Sequence, residues 1–187
     1  WKAFEVLKTT YCSGGKLLVA GNGGSAADAE HICGELMKSF VKKRTIPENI
    51  SEKIRKIDSD LGEKVAAEIE GALPAIALTG HSALSTAIIN DTDGQITYAQ
   101  QLYGFGKSED TFLAISTSGN STNILAACLV AKAKGMKVIG LTGRDGGKLK
   151  DYTDVCLIVP EEETYKIQEL HLPIYHVLCL MLEEEFF

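Results

Sequence analysis

Four groups of residues in this 187-residue chain have types and spacings that could do chemistry. Ser116-Thr117-Ser118-Gly119-Asn120-Ser121 gathers four hydroxyls and a glycine. One Ser or Thr is enough to cap a helix. The others suit a phosphate, because hydroxyls and amides donate and a helix start favours negative charge. Gly21-Asn22-Gly23-Gly24-Ser25 lets backbone approach a ligand with no Cβ in the way. A tight turn with Ser25 as N-cap explains it equally well. It lacks the lysine of a Walker A loop and the third glycine of a dinucleotide fingerprint. His31 and Glu35, four apart, share a helix face. They read either as a surface pair or as donors to a divalent metal such as zinc. Gln168, His171 and His176 fall on one apolar segment, with Glu169 and Tyr175 alongside. A lone histidine there is more often a core residue. Gln168 and His176 would stand about 12 Å apart along a regular helix, with Pro173 between them to kink it.

Two further loops are less informative. Asn90-Asp91 precedes Thr92-Asp93-Gly94 and reads as a turn or as a ligand-facing pair. Gly143–Lys148 reads as a loop with helix capping and carries no assigned chemistry.

Positioning these residues requires a regular scaffold. Short apolar runs at 16–20, 74–78, 111–115, 137–141 and 155–159 read as strands. Amphipathic stretches at about 25–40, 82–89, 120–134 and 164–184 read as helices. Strands alternating with helices predict a three-layer, doubly wound α/β domain with a five-stranded parallel sheet, flavodoxin-like in class. Its ligands belong beyond the C-terminal ends of the strands. One segment breaks the rhythm. Residues 48–70 are charge-dense, with Ile50, Ile54, Ile57, Leu61, Val65 and Ile69 on one face. They predict one or two inserted amphipathic helices within about 46–72, with a break at Asp60-Leu61-Gly62. The cluster Lys42-Lys43-Arg44 before it reads as a solvated helix end, or as a contact to an anionic substrate or subunit.

Composition bounds the partners. Lys plus Arg number 19 against 25 Asp plus Glu, a formal charge of −6. That disfavours wrapping nucleic acid directly. No apolar run reaches the roughly 18 residues of a membrane span. No basic start followed by an apolar middle marks a signal peptide, although the first residue is Trp1 rather than Met. The 5 cysteines are scattered and form no Cys-x-x-Cys pair, which reads as reduced thiols in a cytoplasmic protein.

Taken together, GNGGSAADAEH (21–31), NDTDG (90–94), ISTSGNS (115–121), GLTGRDGGKL (140–149) and ETYKIQELHLPIYH (163–176) resemble the sugar isomerase (SIS) domain. Within it, the chain most resembles the phosphoheptose isomerase family. The likeness runs from residue 16 to the end and implies a single SIS domain over 1–187. It implies that Ser116, Thr117, Ser118 and Ser121 hold a phosphate. Asn22, Gly23, Gly24, Ser25, Asn90, Asp91 and Gln168 would contact the sugar. His31, Glu35, Gln168 and His176 would form a zinc site. The implied chemistry is aldose–ketose isomerisation of sedoheptulose 7-phosphate through an enediol, with Glu35 as base and His176 as acid. Family members are cytoplasmic homotetramers that share active sites between subunits.

The chain departs from that pattern in three ways. The 48–70 insertion is extra. An arginine expected four residues after the glutamate is Ser39, for which Lys38 or the 42–44 cluster could substitute. The family usually has another helix before the position of residue 1. Two alternatives follow. One is a non-catalytic phosphosugar-binding SIS module that regulates a protein partner such as a replication initiator. The other is an isomerase of a different sugar phosphate.

Overall fold

A computed structural model describes all residues, Trp1–Phe187. The elements run α1 (Lys2–Cys12), β1 (Leu17–Ala20), α2 (Gly24–Met37), α3 (Glu48–Ile57), α4 (Ser59–Glu68), β2 (Ala75–Ala77) and α5 (Ser82–Asp91). They continue with α6 (Thr97–Phe105), β3 (Thr111–Ser116), α7 (Thr122–Ala133), β4 (Lys137–Thr142), β5 (Val155–Ile158) and α8 (Thr164–Phe186). All five strands pair in parallel, in the order β2-β1-β3-β4-β5. This is the doubly wound flavodoxin-like order that the alternating pattern predicts.

Strand periodicity builds the two cores. Leu17, Val19, Leu113, Ile115, Ile139 and Leu141 face one side and meet α1, α2 and α8. Leu18, Ala20, Phe112, Ala114 and Val138 face the other and meet α6 and α7. Every residue of β1 and β3 is buried, as expected of central strands covered on both faces. Helices α1 and α6 go beyond the sequence expectations. The signal for α1 was present, since its buried Ala3, Phe4, Leu7 and Thr10 recur at helical spacing. The expected helix over 25–40 ends at Met37, and α8 runs continuously through Pro173. No helix is long and apolar enough to cross a membrane, and all five cysteines are free.

The insertion forms a helical hairpin. Its break falls at Asp58, not at Asp60-Leu61-Gly62. The Asp58 carboxylate accepts from the N–H groups of Asp60 (2.9 Å) and Leu61 (2.8 Å) and so caps α4. The hairpin is closed at its root. Thr45 bridges Glu70 in antiparallel fashion, and Ser39 donates to the Glu70 carboxylate from both N–H and hydroxyl. Its buried positions are the small Ser51, Gly62 and Ala66, whereas Ile57, Leu61 and Ile69 remain exposed.

Arg44 corrects the reading of the basic cluster as solvated. Its side chain is fully buried. Nε donates to Glu183 Oε1 at 2.8 Å. Nη1 and Nη2 donate to the carbonyls of Leu36 (2.8 Å) and Glu35 (2.9 Å). These are carbonyls of the last turn of α2, so Arg44 satisfies a helix end that would otherwise be orphaned. Glu183 in turn accepts from the backbone N–H groups of Phe40, Val41 and Lys42. No local pattern announces this pair, because its members lie 139 residues apart.

Burial opposes ionisation of Glu183, but the three N–H donors and Arg44 outweigh it and hold the carboxyl at about 2. A depressed carboxyl contributes stability that is present above its ordinary value near about 4.3. That contribution fades as pH falls toward about 2. Glu183→Gln leaves Arg44 buried without a counter-charge and is expected to cost roughly 3–5 kcal/mol in urea denaturation. The variant should also lose part of the wild type's acid-dependent stability between those two pH values.

Candidate active site

Two loops leave the C-terminal ends of neighbouring strands. Gly21–Gly24 joins β1 to α2, and Ser116–Ser121 joins β3 to α7. Strand order reverses between β1 and β3, the switch point where open α/β sheets bind ligands. The Tyr98 hydroxyl donates to the Gly21 carbonyl at 2.7 Å. Asn22 and Asn123 exchange amide hydrogen bonds of 2.9 and 2.8 Å, tying the two loops together. Tyr98 and Asn123 are positioning residues that the sequence motifs did not single out.

The hydroxyl loop does not spend itself on capping. Ser121 is the N-cap of α7 but makes no side-chain capping bond. Its Oγ lies 2.9 Å from Ser116 Oγ instead. Ser118 Oγ accepts from the Asn120 N–H at 3.2 Å. Gly119 has φ +64°, and a Cβ there would press into the Gly146 carbonyl, so only glycine suits the turn. In the other loop the N-cap of α2 is Gly23, not Ser25, because the helix already starts at Gly24. Ser25 is buried in the first turn.

Helices α2 and α8 lie side by side in parallel. A Cβ on Gly24 would collide with the Gln168 amide, and seven residues on in both helices His31 meets Tyr175. His31 Nδ1 lies 2.9 Å from the Tyr175 hydroxyl, and His31 Nε2 lies 3.1 Å from Glu35 Oε1. Lys38 Nζ stands 3.5 Å from Glu35 Oε2, so the lysine does reach the glutamate. The His176 ring is edge-on to His31, with centroids 5.1 Å apart. His176 Nε2 is buried and has no hydrogen-bond partner.

The structure therefore joins His31, Glu35 and His176 but leaves Gln168 apart, at the mouth of the glycine loop. About 10 Å of helix separates Gly24 from His31. No group of three or more His, Cys, Asp or Glu side chains is arranged around one point to hold a metal. The donor types nevertheless suit zinc, and the orphaned His176 Nε2 is a nitrogen still lacking a partner. His171 behaves as a core residue: it is fully buried, and burial pushes its imidazole pKa down. Asn90 and Asp91 stand exposed at the end of α5 and hydrogen-bond each other at 2.8 Å rather than either loop. A cavity of about 420 Å³ lined by Glu5, Thr9, Ser13, Glu109 and Lys137 opens near the starts of the strands, at the end opposite the loops. Among the candidate residues Ser25 and Ser116 are buried, Glu35, Gln168 and His176 are half-buried, and Asn22, His31, Asn90 and Asp91 are exposed.

Comparison with known proteins defines the class first. Residues 65–143 match the SIS domain. The chain is 40% identical over 186 residues to the phosphoheptose isomerase of Aneurinibacillus thermoaerophilus, covering 100% of this chain and 79% of that protein. It is 40% identical over 171 residues to that of Nitratiruptor sp., covering 91% and 78%. The solved phosphoheptose isomerase of Neisseria gonorrhoeae superposes with a TM-score of 0.78 at 34% identity, covering 97% of this chain and 83% of that one. The chain belongs to the phosphoheptose isomerase family.

Gly119→Ala should strain the hydroxyl loop by about 1–3 kcal/mol. Titration calorimetry with a sugar phosphate is then expected to show binding roughly tenfold weaker, while the far-ultraviolet spectrum of the fold is retained.

Proposed function

We propose that the chain, as one SIS unit over residues 1–187, isomerises sedoheptulose 7-phosphate to D-glycero-D-manno-heptose 7-phosphate. The observation that carries this reading is the grouping of Glu35, His31 and His176 where α2 meets α8, with Glu35 within reach of Lys38. Ser116, Thr117, Ser118 and Ser121 hold the phosphate, where hydroxyls and the start of α7 meet. Asn22, Gly23, Gly24, Ser25, Asn90, Asp91 and Gln168 line the sugar.

Glu35 takes a proton from C1 of the open-chain ketose, and the electron pair forms the enediol. The same carboxyl returns a proton to C2 and leaves the aldose. His176 moves the accompanying protons between the sugar oxygens. Lys38 balances charge beside Glu35. His31, Glu35 and His176 would be donors for a zinc ion, with Gln168 completing the set from a neighbouring subunit, and the partnerless His176 Nε2 supports that assignment. When bound, the ion would polarise the sugar carbonyl.

A homotetramer with active sites at subunit contacts completes the reading. It is supported by the exposure of Asn22, His31, Asn90 and Asp91, and by the bare apolar residues Leu170, Leu172, Val177 and Leu180 on α8. Free cysteines and the metabolic substrate fit the cytoplasm.

The test is turnover of sedoheptulose 7-phosphate and a panel of other sugar phosphates by the purified chain. Glu35→Gln should lower kcat roughly 10²–10⁴-fold. Chelation should lower activity and added zinc restore it. Wild-type kcat in Glu35→Gln would overturn the assignment of the base, and turnover of another sugar alone would overturn the substrate.

A further inference from the structure

The loop after β4, Gly143–Lys148, takes no part in the isomerase reading, yet it lies between the hydroxyl loop and the start of α8. On one side it is bonded to the hydroxyl loop. The Gly143 N–H donates to the Thr117 carbonyl at 3.2 Å, and the Lys148 N–H donates to Asn120 Oδ1 at 3.1 Å. On the other side it is bonded to the segment that leads into α8. The Arg144 N–H donates to the Glu161 carbonyl at 2.9 Å, and Arg144 Nε donates to the Glu162 carbonyl at 3.2 Å. Gly143 also packs directly on Ile167, because a Cβ there would collide with the Ile167 side chain. Ile167 is fully buried and immediately precedes Gln168.

Arg144 is the one non-glycine residue of the chain with a positive φ, +55°. The loop has glycine at 143, 146 and 147 but places an arginine in the left-handed position, where glycine would be unstrained. Such strain persists only where surrounding contacts hold it. The contacts here are the two hydrogen bonds to Glu161 and Glu162. Helix α8 has use for them, since its N-cap, Glu163, makes no side-chain capping bond and does not fix the entry by itself. The entry angle matters because Gln168 lies against the glycine loop, where a Cβ on Gly24 would strike its amide.

We propose that Gly143 and Arg144 are positioning residues that set the start of α8, and with it Gln168, against the two loops of the switch point. The hydroxyl loop keeps supports that the Arg144 side chain does not touch, among them the Leu149 N–H on the Gly119 carbonyl at 2.9 Å. Loss of that side chain therefore leaves the phosphate end in place and shifts the Gln168 end. A small misplacement of a site group lowers the rate without loosening a grip made elsewhere. The catalytic consequence rests on the proposed role of Gln168 in the site, whereas the geometric content does not.

The test uses the full chain labelled with ¹⁵N-glutamine. Arg144→Gly keeps the left-handed turn and removes the side-chain bond, while Gly143→Ala presses a methyl group into Ile167. Each should shift the side-chain amide signal of Gln168 and leave the binding of inorganic phosphate unchanged by calorimetry. Each should lower kcat roughly tenfold at unchanged KM. Arg144→Gly should add no further loss to Gln168→Ala. Arg144→Gln puts a nitrogen donor where Nε stands and should recover most of the lost kcat, which a role for the charge alone would not allow. A Gln168 signal that moves in neither variant would overturn the proposal. So would a wild-type kcat in Arg144→Gly with only its urea stability lowered, or losses that multiply in the double variant. If Gly143→Ala does not fold, the two Arg144 variants carry the test. The amide measurement needs no turnover, so failure to isomerise sedoheptulose 7-phosphate would sink the function alone.

Discussion

Arg44 and Glu183 meet at 2.8 Å in space closed to water, and the arrangement of α2 against α8 depends on that meeting. A buried guanidinium must find partners for its donors, and here they come from two helices, α2 and α8. Two of the bonds go to carbonyls at the end of α2, and one of those carbonyls belongs to Glu35 itself. Glu183 sits near the end of α8 and gathers the loop N–H groups of residues 40–42. The last turn of α2 is thereby locked in place, and with it the backbone of the proposed base. The helical hairpin enters the chain just beyond this knot, so Arg44 also separates the insertion from α2.

The rest of the site follows from sheet topology. Strand order reverses between β1 and β3, so the loops that follow them open side by side. Glycine lets one loop turn tightly, and hydroxyls freed from capping line the other. Tyr98 and the Asn22–Asn123 amide pair hold the two loops in register. Helices α2 and α8 cover one face of the sheet in parallel and carry the titratable groups. Buried polar atoms without a partner lie along that helix pair: Asp28 Oδ2 on α2, and His176 Nε2 and both ring nitrogens of His171 on α8. Buried groups without partners are costly, and they mark where a substrate, an ion or a neighbouring chain is expected to supply the missing contact.

Much of this was legible in the sequence for physical reasons. Five apolar runs alternating with amphipathic stretches admit few folds other than a covered parallel sheet. Surplus hydroxyls at a strand–helix turn stand out because one is enough for a cap. His31 and Glu35 are read together because four residues bring side chains onto one face. What escaped the sequence were contacts between distant segments. Arg44 looked solvated because Glu183 lies 139 residues away. Asp28 and Tyr175 meet across 147 residues, so no local pattern marks their contact. The break in the insertion was misplaced because glycine at 62 suggested a turn, whereas Asp58 does the capping and Gly62 serves close helix contact. Gln168 and His176 share a helix, and helical rise alone keeps them apart.

Proton transfer through an enediol is the central claim, and it leaves an isotopic record. The most direct measurement is nuclear magnetic resonance of sedoheptulose 7-phosphate incubated with the purified chain in D₂O. Glu35 is partly open to solvent, its side chain 14% exposed, so a proton it holds exchanges. The account predicts an aldose product carrying deuterium at C2, formed roughly 10²–10⁴-fold more slowly by Glu35→Gln. Product formed at full rate with protium retained at C2 would mean direct hydride migration and would contradict the account.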